Sequence, residues 1–410
     1  MAADGHPSRL PFGDPFERAR LDHDAGFEVD DGAAIAVAAA TLAGLPGASA
    51  RRMHALLERF GDASSALDAV LDGRAAEAFA DDRHGDFVAR RWAQCADPIT
   101  VALMLRRRST RVWVTGRSDF PIDPELPQAP AVLLAEGDRP DVLDRPRVAI
   151  VGTRAATPPG IADARAIGRY LAEQGITVVS GLAIGIDAAA HEGALDAGGG
   201  VVGVVATGLD IVYPRRHGPL FERVRRRGLV LGEHGFGVPP TRARFPIRNR
   251  IIAALCDATV VVEATATGGA RITAEMALKY DREVLAMPGS RRNPAAAGCN
   301  ALIADGAHPL LDPSDVLTVL ARHAPASAYA AQLARSAAAG PGHPVAGWEG
   351  STAGVGRAAR RLHAAMAGEP ATLDQLVGRT GLAVGEVAGL IRELERAGRM
   401  ERARGLLWPC

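Results

Sequence analysis

Three rhythms of hydrophobic and polar positions run along the 410-residue chain. Residues 31–97 are rich in Ala and Leu at helical spacing. In LPGASARRMHALLERFGDASSAL (45–67), Met53, Leu56, Leu57 and Phe60 fall on one helical face between a Pro-Gly turn and a Gly stop. This predicts an N-terminal helical domain of the SAM-like or helix-hairpin-helix kind. Residues 98–146 are dense in proline and predict short strands and turns, with VWVTG (112–116) and AVLLAEGD (131–138) as strands. From 147 to 311 the rhythm changes again. RVAIVG (147–152), ITVVSG (176–181), GVVGVVATG (200–208), LVLGE (229–233), ATVVVEA (258–264) and EVLAMPG (283–289) are near-continuous apolar runs. Helical stretches such as GIADARAIGRYLAEQG (160–175) and DAAAHEGALDAG (187–198) separate most of them. Such runs suit parallel strands covered on both faces. Their alternation with helices predicts an α/β fold with a Rossmann-like, doubly wound, mostly parallel sheet, taken here to extend over residues 98–322.

The ends of the chain follow other patterns. Residues 1–30 are polar, acidic and unpatterned, which predicts a disordered tail. Residues 323–355, rich in Ala, Pro, Gly and Ser, predict a flexible linker. Residues 356–410 give three helical stretches and then a short ribbon, RMERARGLLW, which is winged-helix order. Thr372 with Gln375 suits a capping box at the second of those helices. No apolar run reaches about 18 residues without a charge or a break, so no membrane span is expected. The opening residues lack the apolar core of a secretory signal.

Charge sharpens this picture. The formal net charge is zero, but residues 1–31 carry eight acids against three arginines, a net of −5. Residues 215–250 carry ten arginines against Glu222 and Glu233, a net of +8. An excess of that size points to a polyanion, although RVRRR (223–227) alone also suits a solvated helix face. Lys279 is the only lysine, so phosphate contacts fall to planar guanidinium groups. Cys95, Cys256, Cys299 and Cys410 form no CxxC pair, which argues against a zinc ribbon or a disulfide scaffold and fits a reducing cytoplasm.

Ligands of open parallel sheets bind beyond the carboxyl ends of the strands, and the strand-end segments here are rich in Gly and Ser. VGTRAATPPG (151–160) offers small residues before a helix, with Arg154 in the same loop. It is not GxGxxG, and no acid about 20 residues on is placed to hold a ribose, which argues against a dinucleotide cofactor. SGLAIGID (180–187) repeats the arrangement. Ser180, Asp187 and His191 suggest a hydrolytic triad, but the GxSxG elbow is absent, and packing roles for Asp187 and His191 fit better. TGLDIVYPRRHGPL (207–220) brings Tyr213, Arg215 and Arg216. GEHGFGVPPTRARFPIRNRIIAAL (232–255) interleaves Arg242, Arg244, Arg248 and Arg250 with Phe236 and Phe245, which suits a sugar-phosphate chain with bases stacked alongside. Gly268 and Gly269 could cradle a further phosphate. There is no Walker lysine and no clustered metal-ligand set, so the chemistry reads as binding, with no cofactor.

In order, VGTR, SGLAxGID, ATGLDxxYP, FPxRNRII, VVVEA…GGxxITAE and MPGS…NxLIxDGA closely resemble the DNA-processing protein A family (DprA, or Smf) over about residues 40–322. The helical N-terminus and the winged helix match that family's layout. The resemblance implies a non-enzymatic protein that binds single-stranded DNA, protects incoming strands in natural transformation and loads the RecA recombinase. It also implies a homodimer through the Rossmann-like domain. The family's DNA pocket carries over to Gly152, Arg154, Ser180, Gly181, Arg215, Arg216, Arg242, Arg244, Arg248, Asn249 and Arg250, with Gly268, Gly269 and Arg271 in the next loop. Three positions depart from the family pattern: Ile184 stands where a basic residue is usual, GGARIT replaces SGSLIT, and Gly232–Glu233 replaces a serine-acid pair. An alternative reading is a phosphoribohydrolase-like enzyme on a related core, with Glu275 as its carboxylate. A third is a scaffold that meets only proteins.

Overall fold

A computed structural model describes residues 31–323, the strands at 400–403 and 406–409, and Leu376, Val387 and Ile391. The expected tail (1–30), the linker beyond His323 and most of the winged-helix module lie outside the described residues. The chain divides into two compact units, residues 1–332 and 333–410.

The first unit opens with five helices: α1 (Asp31–Gly44), α2 (Ala50–Phe60), α3 (Ala63–Leu71), α4 (Gly85–Cys95) and α5 (Pro98–Arg108). Helix α2 is the amphipathic stretch that the sequence predicts. Ser49 caps its first turn, Gly61 leaves it with φ +93°, and Met53 and Leu56 are buried while Leu57 and Phe60 pack at the core margin. Helix α5 replaces part of the expected strands and turns. Asp97 accepts the Thr100 N–H at its start, Pro98 sits in the first turn where a missing N–H costs nothing, and Ser109 ends it in the left-handed region.

Nine strands form one sheet: β1 (Arg111–Val114), β2 (Val132–Glu136), β3 (Arg147–Val151), β4 (Thr177–Ser180), β5 (Val201–Val204), β6 (Gly228–Gly232), β7 (Ala258–Val261), β8 (Glu283–Ala286) and β9 (His308–Pro309). Their order is β1-β2-β6-β5-β4-β3-β7-β8-β9. The seven strands from β6 to β9 pair in parallel; β1 and β2 add an antiparallel edge. The chain winds outward from β3 through β4, β5 and β6, then returns to β7 beside β3. The topological switch point therefore lies between β3 and β7.

The strands are buried on both faces, as their unbroken apolar runs predict. Val148 and Ile150 of β3 join the core cluster shared with helices α6 (Pro158–Glu173), α7 (Ile186–Asp196) and α8 (Gly218–Arg227). Ala149 and Val151 face the opposite cluster, shared with α9 (Arg244–Leu255), α10 (Gly269–Lys279) and α11 (Ala297–Ala304). The first cluster also takes in Ala39, Leu42 and Leu56 of the helical layer and Val316 of α12 (Asp315–His323). The N-terminal helices and the sheet thus share one continuous core. Among the described residues, no helix is long and apolar enough to cross a membrane. In the second unit, β10 (Met400–Ala403) and β11 (Leu406–Pro409) pair antiparallel.

Candidate nucleic-acid interface

Each loop leaving the carboxyl end of a parallel strand presents residues to one edge of the sheet. The loop after β3 carries Arg154, which is exposed, and its guanidinium lies 4.7 Å over the Phe245 ring of α9. Phe245 leans on Tyr213, from the loop after β5, with ring centroids 5.4 Å apart. These three side chains, with Gly181, Ala183, Ile184 and Pro214, line an open cleft of about 70 Å³. Tyr213 is 43% exposed, so an aromatic face and a cation meet solvent side by side. Arg215, Arg216 and Arg242 are exposed and have no partner among the described residues. Arg244 is half-buried and donates to the Pro239 carbonyl at 2.6 Å.

Arg248 and Arg250 are placed differently from the direct ligand contacts expected of them. Arg248 is buried and donates to the carbonyls of Gly181 and Val204. Burial pushes its guanidinium down to about 10, against the pull of buried Asp187 and with a push from Arg154. A Cβ at Gly181 would lie 2.2 Å from that guanidinium, so glycine there makes room for it. Arg250 forms a buried ion pair with Glu233. The reason is that the second half of α9 is buried all round: Arg250 to Leu255 are all buried and Arg248 lies one turn before Ile251 and Ile252, while Ile247 nearer the start is 49% exposed. The unbroken apolar run IIAAL after FPIRNR was the signal for it. Ser180 is also buried and donates to the Ile150 carbonyl at 2.6 Å, so it holds β4 to β3. Of these residues, Arg248 reaches the cleft wall through its bond to the Gly181 carbonyl.

Backbone donors contribute less than the glycine-rich loops suggest. At the start of α6, Pro158 and Pro159 have no N–H, and the Gly160 N–H is taken by Thr157 Oγ1. Glu263, leaving β7 and only 8% exposed, accepts the Thr157 N–H at 2.9 Å and its hydroxyl at 2.5 Å. A Cβ at Gly160 would meet that carboxyl carbon at 2.4 Å. A protein carboxylate thus stands where a phosphate would approach the helix. In the loop before α7, Asp187 accepts the N–H groups of Gly181 (3.1 Å) and Ala183 (3.4 Å). Burial pushes the Asp187 carboxyl up from its ordinary value, and Arg248 and these N–H groups oppose that. Gly152 is half-buried, and a Cβ there would lie 2.4 Å from Ile186, which makes it a packing glycine.

His191 is fully buried, makes no hydrogen bond of ordinary geometry, and is pushed down to about 4 by burial. With Ser180 and Asp187 spent on backbone groups, the three hold the fold together and form no relay. Asn249 of α9 donates to the Gly269 carbonyl at 3.2 Å, and after β7 Arg271 donates to the Ala266 carbonyl at 2.9 Å. Gly269 is exposed, Gly268 half-buried, and Glu275 is a half-exposed side chain 3.9 Å from Arg271. The sequence reading omitted Arg291 and Arg292, exposed on the loop after β8; RR next to PGS was the signal for them.

The family described as DNA recombination-mediator protein A matches residues 111–321, and the DprA winged helix domain matches residues 349–405. The chain belongs to the DprA family. The Smf protein of Synechocystis is 35% identical over 304 residues, which is 69% of this chain and 75% of that protein. The DNA processing protein DprA of Streptococcus pneumoniae is 42% identical over 193 residues, 47% of this chain and 68% of its own length. The X-ray structure of the Streptococcus pneumoniae DprA superposes with a TM-score of 0.58 at 32% identity, covering 70% of this chain and 97% of that one. The DprA fold is thus a Rossmann-like sheet with a helical N-terminus and a winged helix.

Proposed function

We propose that this DprA-family protein binds single-stranded DNA across the carboxyl edge of its sheet. One observation carries the reading: Arg154, exposed and stacked on Phe245, stands beside exposed Tyr213 above the buried cation Arg248. Guanidinium groups hold phosphates, and aromatic faces accept any base. Arg215, Arg216 and Arg242 extend the positive surface from neighbouring loops. In a duplex the base faces are hidden in the stack, so the aromatic half of the cleft favours single strands.

Family membership supports the wider role. In it, the protein shields incoming strands and loads RecA during transformation and recombination. It acts in the cytoplasm as a homodimer through the sheet domain, without cofactor or catalytic step. The test is a salt titration of binding to a fluorescent oligo-dT and to the matching duplex. Wild-type affinity for the single strand should fall with a log–log slope of roughly −0.7 per neutralised phosphate. Arg154→Ala should weaken binding and flatten the slope by about one such step. Salt-independent binding, or equal preference for the duplex, would sink the reading.

A further inference from the structure

We propose that the loop after β8 is a second phosphate-binding subsite, built on Arg291 and Arg292, which carries a DNA strand onward across the switch point. It rests on the single-strand reading above and names a part of the edge that reading does not use.

Position is the first argument. The cleft lies at the ends of β3, β4 and β5, on one side of the switch point. Arg291 and Arg292 leave β8, on the other side, at the same carboxyl edge. From β5 to β8 there are four inter-strand steps, about 19 Å at roughly 4.8 Å each. A strand held only in the cleft would end short of this loop; a longer one would pass over it. Arg271, in the first turn of α10 after β7, stands at the strand end between the two.

Rigidity is the second. The loop is laced to the exit of β7: the Ala264 N–H donates to the Ala295 carbonyl at 2.8 Å, and the Gly298 N–H to the Ala264 carbonyl at 2.7 Å. Asn300 brackets Gly289, accepting its N–H at 3.1 Å and donating to its carbonyl at 2.9 Å. Asn293 accepts the Ala295 N–H at 3.0 Å. Ser290 Oγ accepts the Arg292 N–H at 3.3 Å. Little backbone entropy is then left to lose when a ligand binds.

Charge is the third. Neither guanidinium has a partner among the described residues. Glu263, at the β7 exit to which the loop is laced, is committed to Thr157 at the start of α6, and Glu275 lies toward Arg271. Two adjacent, exposed, unneutralised guanidiniums on a pinned loop suit consecutive backbone phosphates.

The experiment compares full-length wild type with Arg291→Ala/Arg292→Ala, using oligo-dT of about five and about twenty nucleotides, which span the usual site sizes for such grooves. Each affinity is measured across salt, and oligomeric state is followed by sedimentation. The expected result is a long-oligonucleotide salt slope flatter by about 1.4 in the variant, with the short-oligonucleotide affinity unchanged. Equal slopes for the two proteins at both lengths would overturn the subsite. So would a variant whose sedimentation shifts, which would assign the loop to contact between copies of the chain. A wild type that binds neither oligonucleotide would instead overturn the single-strand reading itself, and the subsite with it.

Discussion

Arg154 and Arg248 carry the same charge at the same end of the sheet, and the protein uses them in opposite ways. Arg154 lies exposed over an aromatic ring. Arg248 is 5% exposed, spans two backbone carbonyls and sits near buried Asp187. One faces solvent; the other ties together the loop after β4 and the end of β5. The density of arginine in a sequence therefore locates a basic region, whereas burial decides which cations in it can be reached.

That contrast can be broken by substitution. Arg248→Ala leaves Asp187 buried without its cation and frees two carbonyls, so urea unfolding should show a loss of about 3–5 kcal/mol. A loss under about 1 kcal/mol would mean that Arg248 is no structural keystone. Glu263→Ala leaves the Thr157 N–H unpaired under α6 and should cost about 1–3 kcal/mol in the same assay. His191 gives the pH limb. Its folded value near 4 lies below the ordinary 6.5, so between them the unfolded chain binds the extra proton. Stability should therefore fall as pH drops from about 6.5 toward 4, by on the order of 1–2 kcal/mol, because raised Asp187 offsets part of it. Unfolding midpoints at a series of pH values check this, and His191→Gln should flatten the limb. Arg154→Ala sits at the other extreme: its unfolding free energy should stay within about 0.5 kcal/mol of wild type while its DNA binding weakens.

Much of the fold was legible because it rests on periodicity. All six apolar runs between 147 and 289 contain strands, since a strand buried on both faces needs no polar positions. Helix α5 was not, because PITVAL is rich in proline and β-branched residues, which read as extended chain. Only the Asp97–Pro98 start betrays a helix, and its packing against α1 settles the matter. At the site, the loops and Arg154 were legible from their place after the strands. The commitment of Glu263 to a backbone donor was not, because it joins residues across the fold: Glu263 reaches Thr157 from 106 positions away.

Glu263 and the two prolines of α6 bear on competition inside a cell. Free nucleotides and other phosphorylated metabolites crowd any open anion cradle. Here the first helix of the sheet offers them acceptors where they need donors. What remains is a row of guanidiniums spread over separate loops. In the proposed reading a single nucleotide would engage one of them and leave, whereas a polymer would engage several at once and gain by the linkage between its own units. The edge would thereby select through valency: the metabolite pool would pass over it and the long strand would stay.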